Sequence, residues 1–453
     1  MVDKARRTAW VCQECGRPAS GWLGQCPGCG AWNAIVEEPV AEPRARSPRA
    51  PAAVRPLVAV AAGEALRRTT GLAELDRVLG GGLVQGSVVL VGGDPGIGKS
   101  TLALQACGAL ARQGVPVLYV AGEESPEQVR LRADRLGMAE AGVLIVPETS
   151  AEAVIEALHA TRPAAVVVDS IQTLHTARLE SAAGSVGQVR ESAALLVAEC
   201  KASGVACFLI GHVTREGTLA GPRVLEHLVD AVLYFEGDGA HALRVLRAVK
   251  NRFGSTNEVA VFEMGESGLV EVPNPSAAFL AERPQGAPGS AVLATLEGSR
   301  PVLVEIQALV SRSFLAMPRR TAIGLDPGRV ALLLAVLEKR MRVALGDQDV
   351  FLNVAGGLRV DEPAADLAVV AAVASSARGR PLPADVAMWG EVGLTGEVRA
   401  VGRSDARLRE AARQGFRRCL LPVRNAHGLI APDGAHAEGV AALDDLFAAL
   451  ELA

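Results

Sequence analysis

Residues 93–100, GDPGIGKS, constrain the fold and chemistry of this 453-residue chain more tightly than any other segment. They directly follow the apolar run 87–91 and precede a helix-like run over 102–112. Glycines placed between a strand and a helix let backbone N–H groups curl around phosphates, and the helix N-terminus attracts the same anion. The pattern predicts a P-loop that binds a nucleoside triphosphate, and its strand and helix context disfavours a simple glycine-rich turn.

Two side chains of this segment carry specific expected roles. Lys99 reaches the terminal phosphates of ATP and counts as a catalytic residue, while the Ser100 hydroxyl ligates Mg²⁺. We expect the helix to open at Thr101, so that its dipole faces the phosphates. The expected nucleotide-binding residues are Gly93, Asp94, Pro95, Gly96, Ile97, Gly98, Lys99, Ser100 and Thr101.

Length and composition predict a soluble protein of two or three domains. Hydrophobic residues make up 49% of the chain, enough for large cores. No apolar run reaches the roughly 18 residues of a membrane span, and the N-terminus MVDKARRTAW lacks the apolar stretch of a signal peptide. We therefore expect a cytoplasmic protein without a membrane partner. The net charge of -4 leaves any nucleic-acid binding to local basic patches.

Four cysteines near the N-terminus have the spacing C-x2-C-x10-C-x2-C: Cys12, Cys15, Cys26 and Cys29. Two such pairs on two tight turns complete a tetrahedral zinc site, and a glycine after each pair lets backbone N–H groups point at sulfur. A cytosolic setting disfavours disulfides, and a thioredoxin-type redox pair has a single C-x-x-C. The spacing predicts a Zn²⁺-binding module over residues 1–38.

Three of the four tryptophans, Trp10, Trp22 and Trp32, fall in this module. A unit this small has little core, so we expect at least two of the indoles to pack around the metal. Stacking on bases or on a partner protein is the alternative. The Pro-, Ala- and Arg-rich residues 39–58 that follow cannot build a packed face and are predicted to be a linker.

Residues 59–280 alternate between strand-like and helix-like runs, which is typical of βαβ units and a mostly parallel sheet. The β-rich stretch 231–264 extends this sheet. The expected strands cover residues 115–120, 143–146, 165–168 and 206–210, and the expected helices cover 72–79, 126–136, 151–160 and 186–201.

Two acidic residues follow strand-like runs, where P-loop chemistry needs them. Asp169 closes the run AAVVVD and would hold Mg²⁺ through water, while Glu123 in YVAGEES would polarise the attacking water as the general base. Glu124 competes with Glu123 for that role. A carboxylate after a strand can merely cap the next helix, but its combination with a P-loop favours catalysis.

Two glycine-bearing segments, 171–187 and 212–222, follow neighbouring strands and should lie at the carboxyl edge of the sheet, where ligands bind. In ring ATPases such loops can face a central channel. Arg178, Arg215 and Arg223 are candidate phosphate contacts, with solvated surface loops as the open alternative.

Together these motifs resemble the bacterial RadA (Sms) family of DNA repair and recombination ATPases, which is related to RecA. The resemblance covers essentially the whole chain and rests on GDPGIGKST, VAGEES, VVVDSIQT, GHVTREG and KNRFG at residues 250–254, preceded by the four cysteines. KNRFG is the most discriminating piece, because unrelated enzymes share the P-loop. Arg215 stands where the family usually has lysine, which exchanges a point charge for a forked cation.

The resemblance implies a RecA-type core that assembles as a hexameric ring on DNA. It implies ATP-driven branch migration or unwinding of recombination intermediates. The implied partners are single-stranded and branched DNA, together with the RecA recombinase or other replicative or recombination proteins. In such rings Lys250 and Arg252 would reach across the subunit interface to the neighbour's γ-phosphate, as an arginine finger does.

Residues 281–453 again alternate strand-like and helix-like runs, and this second α/β domain resembles the proteolytic domain of Lon. EPAADLAV corresponds to the nucleophile region and GEVGLTGEVRAVGRSDARL to the region of the catalytic lysine. Ala364 then stands in place of serine and Asp405 in place of lysine, and neither can perform the chemistry. The resemblance implies a fold without its catalytic dyad, retained for assembly and DNA contact.

Three functions from different classes remain open from the sequence: a DNA-dependent motor, an ATP-dependent protease, and a RecA-like signalling ATPase or kinase of the clock-protein type. The missing dyad argues against the protease. The signalling hypothesis shares the core but leaves the zinc module and the Lon-like domain unexplained.

Overall fold

The computed structural model describes residues 8–12, 17–28, 30–39, 56, 67–211, 225–237, 243–256, 258–315 and 317–452. The chain divides into two compact units, Met1–Glu271 and Val272–Ala453. This division falls slightly earlier than the expected boundary between residues 280 and 281, because the short helix Pro275–Leu280 packs within the second unit. No helix in these described ranges is long and apolar enough to cross a membrane.

The N-terminal module is a small antiparallel sheet in the order β2-β1-β3. Its strands are β1 (Thr8–Cys12), β2 (Pro18–Ala19) and β3 (Ile35–Pro39). Cys12, Cys26 and Ile35 form its buried core, and Trp10 packs against them. Trp22 and Trp32 are 61% and 72% exposed. The expectation that at least two tryptophans pack around the metal is therefore wrong, because the two cysteines and Ile35 already fill so small a core.

The rest of the first unit is built on a nine-stranded sheet in the order β14-β13-β12-β11-β6-β10-β9-β7-β8, with β4 and β5 paired separately. The strands are β4 (Arg67–Arg68), β5 (Leu83–Val84), β6 (Val88–Gly93), β7 (Val117–Ala121), β8 (Leu144–Val146), β9 (Ala165–Asp169), β10 (Ala206–Ile210), β11 (Ala231–Glu236), β12 (Leu243–Asn251), β13 (Val259–Gly265) and β14 (Gly268–Glu271). The helices are α1 (Ala73–Leu79), α2 (Lys99–Arg112), α3 (Pro126–Arg135), α4 (Ala151–Thr161) and α5 (Val186–Ser203).

The six strands from β11 to β8 are parallel, and β12 to β14 continue the sheet antiparallel. Helices α1 to α3 contribute to the buried cluster on one face of the sheet, and α4 and α5 to the cluster on the other. Burial on both faces explains the continuous apolar runs of the parallel strands. The sequence prediction of a mostly parallel α/β core is confirmed.

Helix α2 begins at Lys99, earlier than the expected opening at Thr101, and β6 extends through Gly93. The cause is local: Gly98, the residue before the helix, has φ of 117°, so the turn from strand to helix is completed within the glycine-rich segment. Lys99 and Ser100 therefore project from the first helical turn.

The second unit is built on a mixed seven-stranded sheet in the order β17-β18-β16-β15-β19-β22-β23. Its strands, with the separate pair β20 and β21, are β15 (Ser290–Glu297), β16 (Arg300–Arg312), β17 (Arg320–Ile323), β18 (Gln348–Val354), β19 (Val386–Met388), β20 (Glu391–Val392), β21 (Val398–Arg399), β22 (Arg418–Pro422) and β23 (His436–Val440). Its helices are α6 (Pro275–Leu280), α7 (Pro327–Met341), α8 (Asp366–Arg378), α9 (Ser404–Arg413), α10 (Val423–Ala426) and α11 (Leu443–Ala449). Helix α8 is its centre, because nearly every side chain of α8 is buried.

Candidate functional site

The glycine-rich loop between β6 and α2 has the backbone of a phosphate cradle. Gly93, Gly96 and Gly98 have φ of 144°, 76° and 117°, in the region that favours glycine. A Cβ atom on Gly93 would lie 2.8 Å from the Phe235 carbonyl oxygen, and one on Gly98 would lie 2.8 Å from the Met264 methyl group. The loop thus accepts only glycine at these two positions, and the exposed Gly96 leaves its backbone open to a ligand.

Lys99 lies beneath this loop and is only 3% exposed. Its ammonium donates hydrogen bonds of 2.8 Å to the carbonyl oxygens of Gly93 and Asp94. Burial lowers the pKa of Lys99, and the nearby carboxylates of Asp169, Asp94 and Glu123 oppose that shift. The opposing charges show that the predicted phosphate-binding lysine and both predicted acids share one electrostatic environment.

Asp169 ends β9 at the same edge of the sheet and is 8% exposed. Its Oδ2 atom accepts a 2.5 Å hydrogen bond from the hydroxyl of Tyr119, a buried residue of the neighbouring strand β7. Burial and the charge of Asp169 raise the pKa of Tyr119 well above its usual value. The sequence analysis did not identify Tyr119 as a site residue. A tyrosine within the aliphatic strand VLYVA nevertheless indicates a polar contact, because a buried hydroxyl requires a hydrogen-bond partner.

The two candidates for the general base are oriented differently. Glu123 is exposed at the end of β7, and its carboxylate accepts a hydrogen bond from the Ser170 hydroxyl, next to Asp169. Glu124 instead forms an ion pair with Arg132 of helix α3. Because Arg132 engages the Glu124 carboxylate while the Glu123 carboxylate lies beside Asp169, this arrangement favours Glu123 as the base.

The structure does not bring Lys250 and Arg252 to the P-loop of their own chain. On β12, Lys250 is opposite Val232 of β11, which is itself opposite Leu90 of β6. Strand β6 then runs about 10 Å further before it reaches Gly93, at 3.3 Å per residue. The two cations therefore lie toward the edge of the sheet opposite to Asp169 and the phosphate cradle.

The KNRFG segment is docked tightly against the end of helix α1. A Cβ atom on Gly254 would lie 2.8 Å from the Cα atom of Gly80, so the two backbones touch. Arg67 donates a hydrogen bond to the carbonyl oxygen of Phe253, and the Asn251 side-chain amide donates one of 3.2 Å to the carbonyl oxygen of Val78. The glycine that ends the motif is thus explained by a close backbone approach.

A cavity of about 410 Å³ opens beside the phosphate cradle. It is bordered by Thr101, by Arg135 and Leu136 at the end of α3, and by the turn between β13 and β14. The volume lies in the usual range for a small-molecule pocket. Because Thr101 directly follows the P-loop, the cavity is also close to the phosphate cradle. It is therefore the candidate site for the nucleoside part of a bound nucleotide.

The N-terminal module fits a zinc ion at the two cysteines that are described. Cys12 and Cys26 are buried, and the Gly28 amide lies 3.3 Å from the Cys26 sulfur, to which it donates. Amide donors of this kind stabilise metal-bound thiolates. Cys15 and Cys29 lie outside the described residues, and no group of three or more potential metal ligands occurs within the described part of the chain.

Of the two glycine-bearing segments with candidate phosphate contacts, the described residues include 171–187. Arg178 forms a 3.2 Å ion pair with Glu191 in an exposed setting. Arg215 and Arg223 lie outside the described residues, as does the segment 212–222. The predicted phosphate contacts of these arginines stay predictions.

The Lon-like unit places its two diverged positions in different surroundings. Ala364 is 1% exposed, whereas the Asp405 side chain is 55% exposed and pairs with Arg409 at 2.7 Å. Arg407 of the same helix is buried and forms two hydrogen bonds, of 2.7 and 2.6 Å, to Glu362. The aligned dyad positions thus hold no nucleophile and no buried lysine.

Three family models match separate parts of the chain. Residues 68–142 match the KaiC ATPase, residues 338–434 match the Lon protease (S16) C-terminal proteolytic domain, and residues 10–37 match the rubredoxin metal binding domain. A solved structure of a KaiC-like protein from Pyrococcus horikoshii is 24% identical with a TM-score of 0.39, and covers 46% of this chain and 99% of that chain.

Whole-length similarity extends to curated proteins named DNA repair protein RadA. The protein from Pseudomonas aeruginosa is 55% identical over 430 residues, which are 94% of each chain. The Bacillus subtilis protein is 52% identical over 443 residues, or 96% of each chain. The Aquifex aeolicus protein is 51% identical over 92% of this chain and 93% of its own.

Proposed function

This chain belongs to the RadA family of DNA repair proteins, and from this premise we propose that it is a DNA-dependent ATPase acting in recombinational repair. It would work as a hexameric ring that couples ATP hydrolysis to branch migration or unwinding of recombination intermediates. Single-stranded and branched DNA are its polynucleotide partners, and the RecA recombinase or other replicative or recombination proteins are its protein partners.

One observation supports this proposal: the residues that we assign to the ATPase site lie at opposite edges of one sheet. The phosphate cradle, Glu123 and Asp169 lie at one edge, while Lys250 and Arg252 lie toward the other. A single subunit cannot close these parts on one nucleotide. A head-to-tail assembly joins the two edges at each interface, and such heterologous contacts form a ring when the rotation between subunits closes.

Within each shared site the residues take separate roles. Backbone N–H groups of residues 93–100 and the Lys99 ammonium hold the phosphates, and Ser100 and Asp169 hold Mg²⁺. The bound metal supplies positive charge that neutralises the phosphate oxygens. Tyr119 fixes the orientation of the Asp169 carboxylate. Glu123 accepts a proton from the water that attacks the γ-phosphorus, and the neighbour's cations stabilise the charge that develops.

The two flanking modules complete the proposed assembly. Cys12, Cys15, Cys26 and Cys29 would bind Zn²⁺ and hold a small module for contact with DNA or a partner protein, with Trp22 and Trp32 exposed on it. The Lon-like unit would serve as a scaffold of the ring rather than as a protease, because Ala364 and Asp405 supply no dyad.

The direct test is ATP turnover with and without single-stranded DNA, combined with sedimentation to measure the assembly state. We expect DNA to stimulate turnover and stabilise a ring. Lys99→Ala should lower turnover by about 10²–10³-fold, since it removes a preorganised cation from the phosphates. If DNA changed neither turnover nor assembly, the motor function would be wrong; retained hydrolysis in Lys99→Ala would contradict the P-loop site.

The shared site is tested by mixing subunits. Lys99→Ala subunits retain Lys250 and Arg252, whereas Arg252→Ala subunits retain an intact phosphate cradle. Mixed assemblies should therefore regain turnover that neither variant shows alone. Turnover of the mixture equal to the average of the separate variants would show that Arg252 does not act across an interface.

The KaiC match over residues 68–142 supports one alternative, a signalling ATPase or kinase. It predicts transfer of the γ-phosphoryl group to a protein side chain and no response to DNA. Radiolabelled ATP distinguishes the two: label retained on the protein favours the kinase, and release of all label as phosphate under DNA stimulation favours the motor.

A further inference from the structure

Asp230 is a buried carboxylate between the end of α5, the start of β6 and the KNRFG segment. It is 3% exposed and directly precedes β11. Its Oδ2 atom accepts a 3.1 Å hydrogen bond from the amide of Val88, the first residue of the strand that leads to the phosphate cradle. Its Oδ1 atom accepts from the Lys201 ammonium at 3.0 Å and from the Arg252 guanidinium at 3.2 Å.

The backbone of Asp230 strengthens the same connection. Its amide donates a 2.9 Å hydrogen bond to the carbonyl oxygen of Val88, and its carbonyl oxygen accepts one of 3.0 Å from the Arg252 amide. Both the main chain and the side chain of Asp230 therefore join Arg252 to the P-loop strand. A buried carboxylate that orients an arginine is a stronger constraint than a surface ion pair, because solvent competes with it less.

Lys250 is held by the same short segment. Its ammonium donates hydrogen bonds of 2.5 and 2.8 Å to the carbonyl oxygens of Glu226 and Val229. Both cations thus depend on residues 225–230 for their placement. Among the described residues, a side chain holds Arg252, whereas backbone carbonyl oxygens hold Lys250. Asp230 is therefore the position where a substitution can release Arg252 and leave the hydrogen bonds of Lys250 in place.

We propose that Asp230 is a positioning residue that holds Arg252 in the orientation from which it reaches the neighbouring subunit's nucleotide. Asp230 does not touch the nucleotide, and it acts only through the guanidinium. The proposal rests on the shared ATPase site described above and adds the residue that sets its geometry. Lys201 contacts the same carboxylate oxygen but is not part of the finger.

The test uses Asp230→Asn, which keeps one oxygen for the Val88 amide and removes the charge that holds Arg252. Lys201→Met is the matched control, because it removes the other cation from the same oxygen. We expect Asp230→Asn to lower DNA-stimulated turnover about fivefold to tenfold with unchanged affinity for a fluorescent ATP analogue. Lys201→Met should retain wild-type turnover, and an equal loss in both variants would overturn the proposal.

Mixing distinguishes positioning from a general loss of structure. Asp230→Asn subunits have a sound phosphate cradle, so Lys99→Ala subunits, whose finger is intact, should restore their turnover. A defect that spread along β6 into the cradle would not be rescued. If Lys99→Ala rescues Arg252→Ala but not Asp230→Asn, the role of Asp230 is wrong; if it rescues neither, the shared site itself is wrong.

A double variant covers the case in which Asp230→Asn folds poorly. Asp230→Asn with Lys201→Met removes the unpaired ammonium that the single change leaves beside Arg252, and it should show the same rescue. In an Arg252→Ala background, Asp230→Asn should cause no further loss of turnover, because a positioning residue has no effect without its target. Additive losses would show that Asp230 acts independently of Arg252.

Discussion

The Tyr119 hydroxyl donates a 2.5 Å hydrogen bond to the carboxylate of Asp169, across the neighbouring strands β7 and β9. This bond fixes the acid that is expected to hold Mg²⁺. Tyr119→Phe removes the bond without changing the ring that fills the core, so we expect weaker metal binding rather than unfolding. The Mg²⁺ concentration for half-maximal turnover should rise about tenfold, the lower end of the effect of losing one hydrogen bond to a charged group.

Tyr234→Phe is the matched control, because Tyr234 is the chain's only other tyrosine and lies on β11. Titration of turnover with Mg²⁺ checks both variants. A Tyr119→Phe enzyme with wild-type metal dependence would contradict the positioning role of the phenol.

The same pair predicts a loss of stability at alkaline pH. Burial and Asp169 raise the pKa of Tyr119 above its usual value of 10.0. Above that pH the unfolded chain releases the phenol proton while the folded chain keeps it, so the free energy of unfolding falls as pH rises, by about 1.4 kcal/mol per pH unit from this group. Denaturant unfolding between pH 9 and 11 should show that the free energy of unfolding declines less steeply in Tyr119→Phe than in the wild type. Equal slopes of the free energy against pH in the two proteins would contradict this.

The order of strands explains why part of the site was predictable from the sequence. Parallel strands bring their carboxyl ends to one edge of the sheet. A P-loop and two acidic residues that each follow a strand-like run are therefore predicted from the sequence to lie at the same edge. Tyr119 was not predictable in the same way, because its role depends on which strand lies beside β9. Nothing in the sequence places β7 there rather than β8.

The choice between Glu123 and Glu124 is resolved by two substitutions. Glu123→Gln should lower hydrolysis about 10²–10⁴-fold with nucleotide binding retained, the range for loss of a general base. Glu124→Gln breaks the ion pair between Arg132 and Glu124, whose side chain is 35% exposed. This change should alter turnover by less than about threefold. Single-turnover hydrolysis and analogue binding measure both, and the reverse order of effects would assign the base to Glu124.

Loss of Cys26, a proposed zinc ligand, should unfold only the N-terminal module. Cys26 is one of three buried core residues there, and metal binding contributes most of the folding free energy of so small a unit. We expect Cys26→Ser to lose its zinc and to become cleavable by trypsin after Arg17, while ATP turnover without DNA is retained. Cys419→Ser, which removes a buried thiol of the second unit, should retain zinc. Loss of basal turnover in Cys26→Ser would show that the module supports the ATPase core.

The placement of Lys250 and Arg252 could not be derived from the sequence. The KNRFG motif is conspicuous, but its distance from the P-loop depends on the antiparallel register of β12 on β11, which apolar alternation does not define. The tryptophans of the zinc module were mispredicted for a related reason. Composition indicates how much apolar surface the module has. How many of its tryptophans the small core can bury depends on the folded chain.

Restoring the missing dyad should not create a protease. In Ala364→Ser with Asp405→Lys, the new hydroxyl would lie at a position that is 1% exposed, whereas the new lysine would project from the solvent side of α9 beside Arg409. The interior of this region is occupied by the Arg407–Glu362 pair instead. A lysine in water beside an arginine cannot take the proton of a buried hydroxyl, because proton transfer requires hydrogen-bond contact.

We therefore expect no cleavage of fluorescent casein above the wild-type background and no labelling of position 364 by a fluorophosphonate. Either signal would mean that the two positions approach each other and that the protease chemistry was lost by these two substitutions alone.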